Sequence, residues 1–68
     1  MIGYVELVVD DQTYAAEYHV VDGLMTVYTD AGGAKSTGVN GMNEQNLARL
    51  LLGHLVREGK ASARPSQD

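Results

Sequence analysis

His19-Val20-Val21-Asp22-Gly23-Leu24-Met25-Thr26-Val27 is the stretch that decides the fold. Two runs rich in β-branched residues flank Asp22-Gly23, a strong hairpin signal, because a type I′ turn needs positive φ at both central residues. Two further pairs extend the pattern. Asp10-Asp11 separates Ile2–Val9 from Gln12–Val21, and Gly32-Gly33 separates Leu24–Asp30 from Ala34–Val39. Glycine meets the φ requirement easily and Asp less so. Three two-residue turns thus predict a four-stranded antiparallel meander.

Two-residue turns also fix a register. The first hairpin sets Leu7 opposite Tyr14 and Val5 opposite Ala16. The second sets Val21 opposite Leu24, Tyr18 opposite Val27 and Ala16 opposite Thr29. The third sets Val27 opposite Gly38, Thr29 opposite Ser36 and Asp30 opposite Lys35. One face then carries Val5, Leu7, Val9, Tyr14, Ala16, Tyr18, Val20, Met25 and Val27, and this is the expected core face. A one-residue slip would put part of that set in water. The other face is mixed, as the wet side of an antiparallel sheet should be. It carries Tyr4, Glu6, Val8, Thr13, Ala15, Glu17, His19, Val21, Leu24, Thr26, Tyr28, Asp30, Lys35, Thr37 and Val39.

After Asn40-Gly41 the hydrophobic period changes to that of a helix. Asn43 is the expected N-cap, with Glu44 in the first turn, and Gly59 follows the helix end near Glu58. Leu47, Ala48, Leu51, Leu52, Leu55 and Val56 span about half the circumference and should lie on the sheet. Leu50 falls outside that arc, near Asn46, His54 and Arg57. The expected fold is α+β, ββββα, with one amphipathic C-terminal helix packed on one sheet face. Residues 1–59 read as one domain and 60–68 as a disordered tail of small, charged and Pro residues.

Composition narrows the function classes. The 68 residues carry five Lys and Arg against nine Asp and Glu, a net charge of −4. Five cations are too few to favour generic binding of nucleic-acid phosphates. The chain has no Cys, which excludes disulfides and thiolate metal sites and fits a cytoplasmic location. No run approaches the ~20 apolar residues of a membrane span. The N-terminal run Met1-Ile2-Gly3-Tyr4-Val5 reads as strand, without the basic and apolar regions of a signal peptide. Chains below ~70–80 residues rarely gain more than ~3–5 kcal/mol from one core and usually need a staple. With disulfides excluded and no metal cluster in view, self-association is the expected staple.

Candidate chemistry is sparse. Ala31-Gly32-Gly33-Ala34-Lys35-Ser36-Thr37 superficially suggests a phosphate loop. Such a loop needs Gly directly before Lys and a helix starting there, whereas Ala34 precedes Lys35 and strand follows. Asp10-Asp11 lacks calcium-loop spacing. His19 and His54 lack the three or four convergent ligands of a zinc site. Glu6, Glu17 and Asp30 share the outer face, where carboxylates without a cleft act as a solvated surface. No cofactor and no catalytic residue is expected. A site lined by Glu17, Tyr28 and His19 is the weakest alternative, a small ligand binder or enzyme.

The stretch Tyr18–Gly59, with V-D-G-L-M-T-V, A-K-S-T and N-L-A-R-L-L-L-G-H-L-V-R-E-G, resembles short bacterial proteins without an assigned function. The strands-then-helix order is similar to the N-terminal part of HicB-like antitoxins, in pattern only. Neither resemblance brings catalytic residues. The expectation is a homodimeric interaction module without catalytic activity, or an antitoxin-like or regulatory subunit that binds another protein. Candidate interface residues are Tyr4, Val8, Leu24, Tyr28 and Val39 on the sheet, and Leu50 and His54 on the helix.

Overall fold

The computed structural model describes residues 1–63. Four strands, β1 (Ile2–Val9), β2 (Gln12–Val21), β3 (Leu24–Tyr28) and β4 (Ala34–Gly38), precede one helix, α1 (Glu44–Arg57). The strands form an antiparallel meander in the order β1-β2-β3-β4. The helix lies across one face and contacts all four strands. This is the two-layer α+β architecture expected from the sequence.

The first two turns behave as read. Asp10 and Asp11 have φ of 52° and 65°, and Asp22 and Gly23 have 52° and 76°. Left-handed conformations at both central positions match the right-handed twist of the flanking strands. Val5 pairs with Ala16, Leu7 with Tyr14, Tyr18 with Val27 and Val21 with Leu24. The paired residues of β2 and β3 stop at Glu17 and Tyr28, so the expected Ala16–Thr29 pair is not part of the ladder.

The third hairpin differs. Its loop is Asp30-Ala31-Gly32, three residues rather than the expected Gly32-Gly33 pair. The Gly32 N–H donates to Thr29 O at 3.1 Å, and the Thr29 N–H donates to Gly33 O at 2.9 Å. Gly32 holds φ at 86°, the left-handed position that ends a three-residue hairpin loop. The partner of each β4 residue therefore slides by three. Lys35 faces Val27, Ser36 faces Thr26 and Gly38 faces Leu24. Three is odd, so every side chain of β4 changes face. Lys35, Thr37 and Val39 lie on the helix side, and the expected Asp30–Lys35 pair does not form.

Two tertiary contacts hold the shifted register. Lys35 Nζ donates to Glu58 Oε2 at 2.7 Å, just past α1. A Cβ on Gly33 would sit 2.5 Å from the Lys60 carbonyl oxygen, so the strand and the chain after the helix pack backbone to backbone there. The Thr29 hydroxyl bridges the two, accepting from the Gly33 N–H at 3.0 Å and donating to Lys60 O at 2.5 Å.

The core lies between sheet and helix. Val5, Ala16, Tyr18, Met25 and Val27 meet Leu47, Ala48, Leu51, Leu52 and Leu55, with Leu7, Tyr14, Val20, Val39, Val56 and Ala61 at its margin. The Asn43 side chain caps α1 by accepting from the Asn46 N–H at 3.1 Å. At the other end the Gly59 and Lys60 N–H groups donate back to Val56 O and Leu55 O, a Schellman motif with Gly59 at φ 76°. The segment read as a tail begins at Lys60. Its first residues, to Ala63, are described and carry the Lys60 and Ala61 contacts above; residues 64–68 lie outside the described part.

Candidate functional site: the uncovered face of the sheet

The helix covers one face of the sheet, and no described element covers the other. Six large apolar side chains stand exposed on that face. They are Ile2, Tyr4 (74% exposed) and Val8 (66%) from β1, Val21 from β2, and Leu24 and Tyr28 from β3. Strand alternation puts them there: even positions of β1 and β3 and odd positions of β2 point away from α1.

Cross-strand pairing arranges the face in rows. Tyr4 faces Glu17, which faces Tyr28. Ile2 faces His19, which faces Thr26, which faces Ser36. The Thr26 and Ser36 hydroxyls share a 2.8 Å hydrogen bond. Between the first two rows, His19 Nε2 lies 3.0 Å from Glu17 Oε2, and the His19 ring meets the Tyr28 ring edge-on at 5.1 Å. Residues two apart on a strand share a face, and that spacing is the signal that joins Glu17 to His19.

On the far side of the Tyr4–Glu17–Tyr28 row the face is concave. A depression of about 300 Å³ is lined by Tyr4, Ala15, Ala16, Glu17, Tyr28, Thr29 and Asp30. Ala15 is a small side chain and leaves the space that the two tyrosines wall. Among the described residues, the Asp, Glu, Lys and Arg side chains of this face are all acidic. Glu6, Glu17 and Asp30 belong to this face, and no Lys or Arg of the described residues does. Lys35, expected here, is turned to the helix side.

Of the sequence-predicted interface residues, Tyr4, Val8, Leu24 and Tyr28 are exposed together on this face. Val39 is corrected. The three-residue loop turns it inward, where it is partly buried against the core. Leu50 is 49% exposed and His54 half-buried, both on α1 and separate from the sheet face. Sequence reasoning missed Ile2 as a member of the exposed set and missed the concavity.

The described residues hold no group of three or more His, Asp or Glu arranged to bind a metal ion. The Glu58 carboxyl is held below the ordinary glutamate value, first by its hydrogen bond from Lys35. It lies at the helix end and away from the sheet face. No described helix is long and apolar enough to cross a membrane. Comparison with family models, curated proteins and solved structures finds no match for this chain. The resemblance of Tyr18–Gly59 to short bacterial proteins, and the pattern shared with antitoxins, gain no support from it. The class that fold and surface define is a two-layer α+β domain with one open sheet face.

Proposed function

We propose that the chain is a small, non-catalytic interaction module whose working surface is the sheet face turned away from α1. In its simplest form two copies close over each other there as a homodimer. One observation carries the reading: six exposed large apolar residues gather on that single face. Scattered surface apolars are ordinary, whereas six on one uncovered sheet face favour a contact surface. The six expose on the order of 600 Å², against about 800 Å² per partner in a standard interface. Tyr4 and Tyr28 suit such a surface, since tyrosine buries area and keeps a polar end. A second copy would also supply the staple that a core of this size needs. The cytoplasm is the proposed location, a reading that rests on the cysteine-free sequence.

Sedimentation equilibrium tests the dimer. Its expected mass is twice the 7.3 kDa of one chain at low micromolar concentration. Tyr4→Ser with Leu24→Lys should give a folded monomer. A folded wild-type monomer at every concentration reached would overturn self-association.

A second reading keeps the surface and changes the occupant. On it the module is a regulatory or antitoxin-like subunit that binds a different protein. Charge favours this reading, because stacking two copies would set Glu17 and Asp30 against their own kind.

A further inference from the structure

We propose that the concavity between Tyr4 and Tyr28 receives a cationic side chain, Arg or Lys, from a segment of a different protein. The inference deepens the second reading above and rests on it. Three features coincide at the site. The walls are aromatic, and a cation over a tyrosine face is attracted by the ring quadrupole. Two carboxylates, Glu17 and Asp30, line the same depression, which is about 300 Å³. No described Lys or Arg of this chain lies on that face to neutralise them.

The missing cation follows from the β3–β4 loop. With a two-residue loop, Lys35 would stand opposite Asp30 and fill the site from within. The three-residue loop instead sends Lys35 to Glu58. Asp30 is left at the lip of the depression with its charge uncompensated by Lys35. His19 is the one imidazole of this face, and it bonds Glu17. Even protonated, it offsets one of the two acids that line the depression.

The depression also has the scale of one long side chain. Ala15 is among its lining residues, and a larger side chain there would narrow it. A flat acidic patch would attract cations without orienting them. Here two tyrosines and two acidic residues line one volume, so a planar guanidinium seated there can stack and hydrogen-bond at once.

Among the described residues, a second copy of the chain offers a poor donor. Lys35 and Lys60 both lie against Glu58. Arg49 and Arg57 are exposed on α1, the opposite side of the molecule. A contact from the helix of one copy to the sheet of the next is head-to-tail and does not close under a two-fold axis.

The test uses the free chain, labelled with ¹⁵N, and two small probes: N-acetyl-arginine amide and its neutral isostere N-acetyl-citrulline amide. The arginine probe should shift the amides of Tyr4, Ala15, Glu17, Tyr28 and Asp30. It should bind about ten-fold tighter than the citrulline probe, from the ring and carboxylate contacts together. Asp30→Asn and Tyr4→Leu should each weaken it about three-fold while the remaining spectrum stays that of the folded chain. Equal binding of the two probes overturns the proposal. So do shifts as large at Asp10, Asp11 and Asp22 as in the concavity, or affinities unchanged in both variants. If the free chain is a dimer that the arginine probe dissociates, a second copy is the occupant and the assignment to a different protein fails. Because the probe needs no protein partner, its failure leaves the open-face reading standing. Loss of that reading would show instead in sedimentation and partner capture.

Discussion

Gly3→Ala should cost this domain about half its stability, although it adds one methyl group to an edge strand. Gly3 pairs with Tyr18 across β1 and β2. A Cβ at Gly3 would stand 2.5 Å from Tyr18 Oη and 2.7 Å from Cε2, with Cζ equally crowded. Ordinary contact begins near 3.4 Å, so the ring must retreat by roughly 1 Å, which a close-packed interior resists. Retreat is obstructed. Tyr18 is 3% exposed and lies under α1, and its Oη accepts from Gln45 Nε2 at 3.0 Å. The same nitrogen also donates to Tyr4 O at 3.2 Å, so moving the ring disturbs the helix start and the strand edge together. Overpacking costs ~1–3 kcal/mol and the strained hydrogen bond ~1 kcal/mol. Replacing a strand glycine returns ~0.5–1 kcal/mol. The net loss is about 2 kcal/mol, against the ~3–5 kcal/mol available to a core of this size. With a urea m-value of ~1 kcal/mol/M, the midpoint should fall by ~2 M. In a Tyr18→Leu background the same change should cost far less, giving a coupling of ~1–2 kcal/mol. A Gly3→Ala midpoint within experimental error of the parent, or additive single and double variants, would refute the packing of the ring on Gly3.

Other expectations follow from the turns and the helix end. Asp11→Gly should stabilise by ~0.5 kcal/mol in urea titration, because a left-handed Asp costs ~1–2 kcal/mol and Gly loses ~0.5–1 kcal/mol in freedom; a loss of stability would count against the type I′ assignment. Thr29→Val removes the hydroxyl between Gly33 N–H and Lys60 O and should cost ~1–3 kcal/mol by thermal unfolding, with β1 and β2 amides unchanged. Glu58 has its folded pKa lowered by Lys35. Its contribution is therefore present above the unfolded glutamate pKa and lost as pH falls through the folded one. Glu58→Gln should flatten the stability curve in that acid window and leave it unchanged in shape near neutrality; an unaltered acid limb would sink the Lys35 assignment.

The hairpins show what a sequence can and cannot carry. Asp10-Asp11 and Asp22-Gly23 sit between long alternating runs, so only one loop length keeps Val5, Leu7, Ala16, Tyr18, Met25 and Val27 on one side. The β3–β4 turn lacks that constraint. β4 reads Ala-Lys-Ser-Thr-Gly, with no hydrophobic alternation to choose a face, and Gly32-Gly33 satisfies a two-residue loop and a three-residue loop alike. The choice is made by contacts remote in sequence: Gly33 against Lys60, and Lys35 against Glu58. The helix was legible for the opposite reason. Its Leu47, Leu51 and Leu55 repeat leaves one arc to bury, and Asn43 and Gly59 mark its ends. The exposed apolars Tyr4, Val8, Leu24 and Tyr28 could be placed by parity alone. The concavity could not, because it depends on where Asp30 ends up once β4 has slid.

That slide bears directly on the two readings of the open face, and salt separates them. A homodimer closed over the sheet faces brings Glu17 and Asp30 of both copies together with no Lys or Arg of the described residues between. Screening relieves like-charge repulsion, and the Debye length falls from ~10 Å at 0.1 M to ~3 Å at 1 M. Dimerisation through apolar contacts should therefore strengthen as sodium chloride rises. A partner that inserts Arg or Lys between Tyr4 and Tyr28 does the reverse, since its attraction to the acidic face is screened. Sedimentation of the chain alone, and binding of the arginine probe, measured over the same salt series should then move in opposite directions. A dimer that weakens with salt would require a cation at its interface. Among the described residues Arg49 and Arg57 are the exposed guanidinium groups and both lie on the helix, so that result would favour a helix-to-sheet contact over the face-to-face dimer.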